Sequence, residues 1–113
     1  MNNAELHSSI KRTLTDEVAD LALEVGEFYF ARRDRSSGRV RFVVSHMTVD
    51  HHTPAGGLTV HTLRETAMHS NYATPKAAKI GAARRNAPLL RRMYHARLAS
   101  TPLGRTLLAM GAA

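Results

Sequence analysis

Glu27-Phe28-Tyr29-Phe30-Ala31-Arg32-Arg33 and Arg39-Val40-Arg41-Phe42-Val43-Val44, joined by Asp34-Arg35-Ser36-Ser37-Gly38, decide the fold class. Both runs are rich in aromatic and β-branched residues, which suit a pleated surface, and the five residues between them are turn formers. The pattern predicts an antiparallel β-hairpin. Alternation along the second strand puts Val40, Phe42 and Val44 on one face, with Arg39 and Arg41 on the other. Arg32, Arg33 and Arg35 gather at the same tip. Five arginines there, with Tyr29 nearby as a stacking surface, suit phosphate binding, and they equally suit a tip kept soluble by charge.

Moving outward to the N-terminal side, Leu6, Ile10, Leu14, Val18, Leu21 and Val25 recur at spacings of three and four. That is one helical stripe, and it predicts a long amphipathic helix from about Ala4 to Val25, stopped by Gly26. On the C-terminal side, Thr74-Pro75, Asn86-Ala87-Pro88 and Thr101-Pro102 each place a capping residue next to a proline. This spacing predicts three short helices near 75–85, 88–100 and 102–110. In the middle one, Leu89, Leu90, Met93, Tyr94 and Leu98 share a side, opposite Arg91, Arg92 and His95. Arg97 falls inside the apolar arc, where its stem snorkels or its head pairs with an N-terminal acid. In the first, Ala77, Ala78, Ile80, Ala82 and Ala83 back Lys76, Lys79, Arg84 and Arg85. The expected architecture is a single α+β domain over residues 1–113: a long N-terminal helix, a hairpin, a His-rich loop and three short C-terminal helices.

Charge is distributed unevenly along this framework. The 48 residues from Thr66 to Ala113 carry two lysines and six arginines with no Asp or Glu, a charge of +8 in a chain whose total is +7. Residues 1–31 carry −4 and residues 32–65 carry +3. Eight cations without local counter-charge must meet anions on the N-terminal half or on a partner. There is no Trp and only 5% of residues are aromatic, so the core is expected to consist of Leu, Val, Ala and Met. Zero cysteines exclude disulfides and thiolate metal sites and agree with a reducing compartment. No apolar run approaches a membrane span and the first residues lack a leader's apolar core, so a cytoplasmic location without membrane attachment is expected.

Between the hairpin and the C-terminal helices, the stretch from Ser45 to Asn71 holds five of the seven histidines. Neutral imidazole serves as a base near pH 7, and His, Asp and Asn bind divalent metals. Asp50-His51, Pro54, Gly56-Gly57, Leu63 and Asn71 resemble an HNH, or ββα-metal, endonuclease motif. The resemblance implies a divalent metal held by Asp50 and Asn71, with His69 as a substitute ligand, and His51 as the catalytic base that activates water. Thr62 stands where that family carries its central Asn. Composition alone calls for no cofactor. Gly57-Leu58-Thr59-Val60-His61-Thr62-Leu63-Arg64-Glu65-Thr66-Ala67 also resembles the turn and recognition helix of a helix-turn-helix protein. Both resemblances imply a helix beginning near Thr59 to Thr62.

The basic C-terminal third points to nucleic-acid binding, DNA included, through phosphates. The expected contacts are Lys76, Lys79, Arg84, Arg85, Arg91 and Arg92, with Arg33, Arg39 and Arg41 as a second patch. An HNH-like nuclease is one alternative. Another is a small interaction or assembly protein docking on an acidic protein surface, resembling the Ala- and Arg-rich proteins of phages and mobile elements.

Overall fold

The computed structural model describes residues 3–35, 38–57 and 59–111, apart from the side chains of Asn3, Thr13 and Asn71. Ser36 and Ser37 of the expected hairpin turn, and Leu58 of the helix-turn-helix resemblance, lie outside the described residues. The elements run α1 (Asn3–Thr13), α2 (Asp16–Glu24), β1 (Glu27–Asp34), β2 (Arg41–His52), β3 (Val60–Tyr72), α3 (Pro75–Ala99) and α4 (Pro102–Ala109). The mixed α+β expectation holds, and three of its details change.

The first change is that the N-terminal stripe is split between two helices. Thr15 adopts an extended conformation (φ −130°, ψ 163°) and its hydroxyl accepts from the Val18 N–H, capping α2. Asp16 and Glu17 follow in the first turn, where acids favour the positive end of a helix. The apolar spacing survives the break. Leu6 and Ile10 from α1 and Leu21 and Ala22 from α2 are buried together with Phe28, Val49, Leu89 and Met93. Leu21 is fully buried, so Leu21→Ala would cost about 3 kcal/mol.

The second change concerns the His-rich stretch, which is strand rather than loop, and the helix expected from Thr59 to Thr62 is replaced by β3. The sheet is an antiparallel meander in the order β1-β2-β3. Val49 opposes Leu63 and His51 opposes His61, so every second residue of β3 faces the same side as its β2 partner. β-Branched Val60, Thr62 and Thr66 suit that pairing better than a helix. The chain reverses at Pro54–Gly57, where the Gly57 N–H donates to the Pro54 carbonyl (2.9 Å) and Gly56 takes φ +72°. The register shifts between Phe42 and Val44 and between His46 and Met47, each time with an extra residue on β3.

The third change is that Pro88 does not begin a helix, because α3 runs unbroken through it for 25 residues. A proline inside a helix removes one backbone bond and costs about 3 kcal/mol. Packing offsets that cost. Ala78, Ala82, Asn86, Leu89 and Met93 form one buried stripe along α3 while Pro88 is exposed. The first half of the stripe packs on Val44 with Tyr29, Ala31, Phe42 and Tyr72. The second half joins the α1–α2 core on the other side of β1.

Asn86 marks the crossing point. Its side-chain oxygen accepts from the Tyr29 N–H (2.8 Å) and its amide nitrogen donates to the Tyr29 carbonyl (2.8 Å). One side chain thereby imitates a neighbouring strand and closes the outer edge of β1 there. Asn86 therefore anchors the middle of α3 instead of capping a new helix.

Candidate nucleic-acid interface

The position of α3 determines which of its side chains face outward. Thr74 caps it, accepting from the Ala77 N–H (3.1 Å), and Pro75 opens the first turn. At 1.5 Å per residue the helix is about 37 Å long. With the stripe from Ala78 to Met93 turned inward, Arg84 and Arg91 project to the opposite side and Arg85 and Arg92 to the adjoining flank. Lys76 and Lys79 project on the other flank. All six are exposed. Among the described residues, none of the six forms an ion pair.

The N-terminal acids reach one cation of the C-terminal block. Arg97 Nη2 lies 3.2 Å from Asp20 Oδ2, and the same guanidinium binds both carboxylate oxygens of Glu24. Hydrogen bonds from Arg97 hold the Glu24 carboxyl below its ordinary range. The Asp20 carboxyl is held low first by its hydrogen bond with His7 (3.0 Å) and then by Arg97. These two carboxylates raise the Arg97 guanidinium above its already high value. Arg105 instead donates to the Ala99 carbonyl (3.2 Å).

The sheet neutralises most of its own arginines. Arg32 Nε donates to Ser45 Oγ (2.7 Å), its Nη2 to Glu65 Oε1 (3.0 Å) and its Nη1 to Asp34 Oδ1 (3.4 Å). Arg41 Nη2 donates to Asp34 Oδ2 (2.6 Å). The Ser45 hydroxyl also donates to Glu65, and this bond, followed by Arg32, lowers the Glu65 carboxyl. The result is a polar ladder across three strands with Asp34 and Ser45 buried. Of the expected second patch, Arg41 is therefore held by Asp34, whereas Arg33 and Arg39 are exposed. Arg33 and Lys79 line a small groove of about 200 Å³ beside Phe42 and Pro75.

The residues named for metal chemistry are spread along the sheet. Asp50 is held by Arg64 Nε at 2.9 Å, and that bond raises the Arg64 guanidinium. His51 follows it on the opposite face, exposed, its ring perpendicular to that of His61 at 4.5 Å between centroids. Burial, and secondarily the charge on His51, push the His61 imidazole down. His69 opposes Val44, six residues of β2 or about 20 Å from Asp50, and its ring lies 6.4 Å from Tyr29. Asn71 lies in β3, its side chain outside those described. Among the described residues, no group of three or more His, Asp or Glu side chains could hold a metal ion. No helix of the described residues is long and apolar enough to cross a membrane.

No known protein family, curated protein or solved structure matches this chain. Its function is read from the chemistry of the α3 face. Two features were missed in sequence, one on α3 and one on the sheet. The Asn86 clamp was hidden by the adjacent Pro88, whose usual meaning is a helix start. Pairing within the sheet was legible only as an excess of arginine, because the partner acids Glu65 and Asp50 belong to β3 and to the far end of β2.

Proposed function

We propose that this protein binds nucleic acid through the phosphate backbone, with α3 as the principal contact element. The observation that carries the reading is the contrast in pairing. Arg84, Arg85, Arg91, Arg92, Lys76 and Lys79 are exposed without an ion pair among the described residues, while Arg32, Arg41, Arg64 and Arg97 are each held by a carboxylate. A guanidinium offers a fork of donors suited to phosphate, and Asn86 and Arg97 fix the helix backbone that carries these side chains. Arg33 and Arg39 extend the basic surface. Binding of this kind releases counterions, so affinity should fall steeply with salt. Anisotropy titration of labelled DNA and RNA between 50 and 300 mM salt tests it, with a slope of log K against log[salt] of about −4 to −6 expected. Absent binding, or binding that salt leaves unchanged, overturns the reading. The nuclease alternative demands that Asp50 leave Arg64. Its mark is metal-dependent cleavage lost in His51→Ala.

A further inference from the structure

We infer that the nucleic acid is double-stranded and is gripped by two arginine pairs that span one groove; the inference rests on the phosphate-binding reading above. Arg84-Arg85 and Arg91-Arg92 are separated by seven residues, so the second pair lies above the first with a rotation of only about 20°. They sit about 10.5 Å apart along the axis. The B-form major groove is about 12 Å wide between its phosphate walls, and arginine side chains reaching from the two pairs match that span. A flexible single strand gains nothing from a fixed separation of this kind.

Single strands are held instead by bases stacking on aromatic side chains, worth about 1–3 kcal/mol per base. Apart from Tyr94, which is 44% exposed on α3, the tyrosine and phenylalanine rings of this chain are packed against protein. Tyr29 stacks on His46 (4.5 Å between centroids, 17° between planes) and carries Arg85 at 5.9 Å. Arg97 lies 5.3 Å from the centre of the Tyr94 ring. Tyr72 packs so closely on Gly81 that a β-carbon there has no room. Phe28 is buried, and Phe30 and Phe42 pack against the cores. Position also matters for Arg85, because its contact with Tyr29 fixes one member of the first pair against the sheet.

The test compares a 20-base-pair DNA duplex, an RNA duplex of the same sequence and each single strand, using the full chain at one salt concentration. We expect the DNA duplex to bind about tenfold or more tightly than its single strand, and more tightly than the RNA duplex, whose A-form major groove is deep and narrow. A variant combining Arg91→Ala with Ala83→Arg keeps the net charge but moves one guanidinium to another flank of α3. It should lose about tenfold in duplex affinity, several times more than it loses in single-strand affinity. Equal or tighter binding of the single strand, or a relocated arginine that binds the duplex as well as wild type, overturns the inference. Failure to bind any of the four overturns the phosphate-binding reading itself.

Discussion

The arginines of the sheet and the arginines of α3 have the same chemistry and opposite circumstances. On the sheet, Arg32, Arg41 and Arg64 each lie within 3.0 Å of a carboxylate oxygen supplied from another strand or turn position. On α3, Arg84, Arg85, Arg91 and Arg92 stand exposed with no ion pair among the described residues. The difference is one of geometry. Strands place side chains from distant sequence positions about 5 Å apart, so an acid opposite or diagonal to the arginine on the neighbouring strand can serve. A helix surface offers partners mainly from its own i±3 and i±4 positions, and α3 contains no acid to put there. The paired arginines of the sheet therefore belong to the fold, as does Arg97 at the end of α3, which meets Asp20 and Glu24 of α2, whereas Arg84, Arg85, Arg91 and Arg92 remain available to an external anion.

The comparison can be broken most forcefully by removing the α3 forks together. Changing Arg84, Arg85, Arg91 and Arg92 to Gln should reduce nucleic-acid affinity about 1,000-fold, equivalent to about 4 kcal/mol, with the thermal midpoint nearly unchanged. Asp34→Ala should act in the opposite sense. It removes the carboxylate that holds Arg41, while Arg32 keeps Ser45 and Glu65, and should lower stability by about 1–2 kcal/mol, read from urea midpoints, while binding is retained. Asn86→Leu leaves the Tyr29 N–H and carbonyl without their partner and should cost about 2 kcal/mol. It should also loosen the crossing of α3 over β1, detected as faster amide exchange at Tyr29.

The smallest expected effect is on acid stability. Asp20, Glu24 and Glu65 all have lowered carboxyl pKa values, so the folded state binds their protons less readily than the unfolded chain does. Their contribution is complete above the ordinary carboxylate values of 3.8 and 4.5 and disappears as pH falls through the lowered ones. All three side chains are about a third exposed, so solvent screening keeps the effect modest. Urea midpoints measured from pH 6 to pH 2 should fall below about pH 4.5, and Arg97→Met should flatten the part owed to Glu24 while Asp20 keeps the share that its hydrogen bond with His7 supplies.

How far these features were readable in sequence follows the same division. The hairpin, the apolar stripe from Leu6 to Val25 and the outward cations of α3 were legible because period-2 and period-3.6 patterns are local. Thr15-Asp16-Glu17 carried a readable helix-start signal that the continuous stripe concealed. β3 was not legible. Its residues gain their strand conformation from pairing with β2, and Gly56-Gly57 with Thr59 reads equally well as a helix entry. Pro88 misled for a related reason, since the burial of Asn86, Leu89 and Met93 that sustains the helix through it depends on α1, α2 and β1. The HNH resemblance joined Asp50, His51, His69 and Asn71 across a short sequence span, and an extended strand places Asp50 and His69 about 20 Å apart.

The most direct test of the division between the two arginine sets is the salt dependence of binding in matched variants. The slope of log K against log[salt] is measured for wild type, for the α3 variant with four arginines changed to Gln, and for Arg41→Gln on the sheet. The account predicts that the α3 variant loses about 3.6 from the magnitude of the slope while Arg41→Gln leaves it unchanged. A slope that is the same in all three, or that falls with Arg41 rather than with α3, would contradict it.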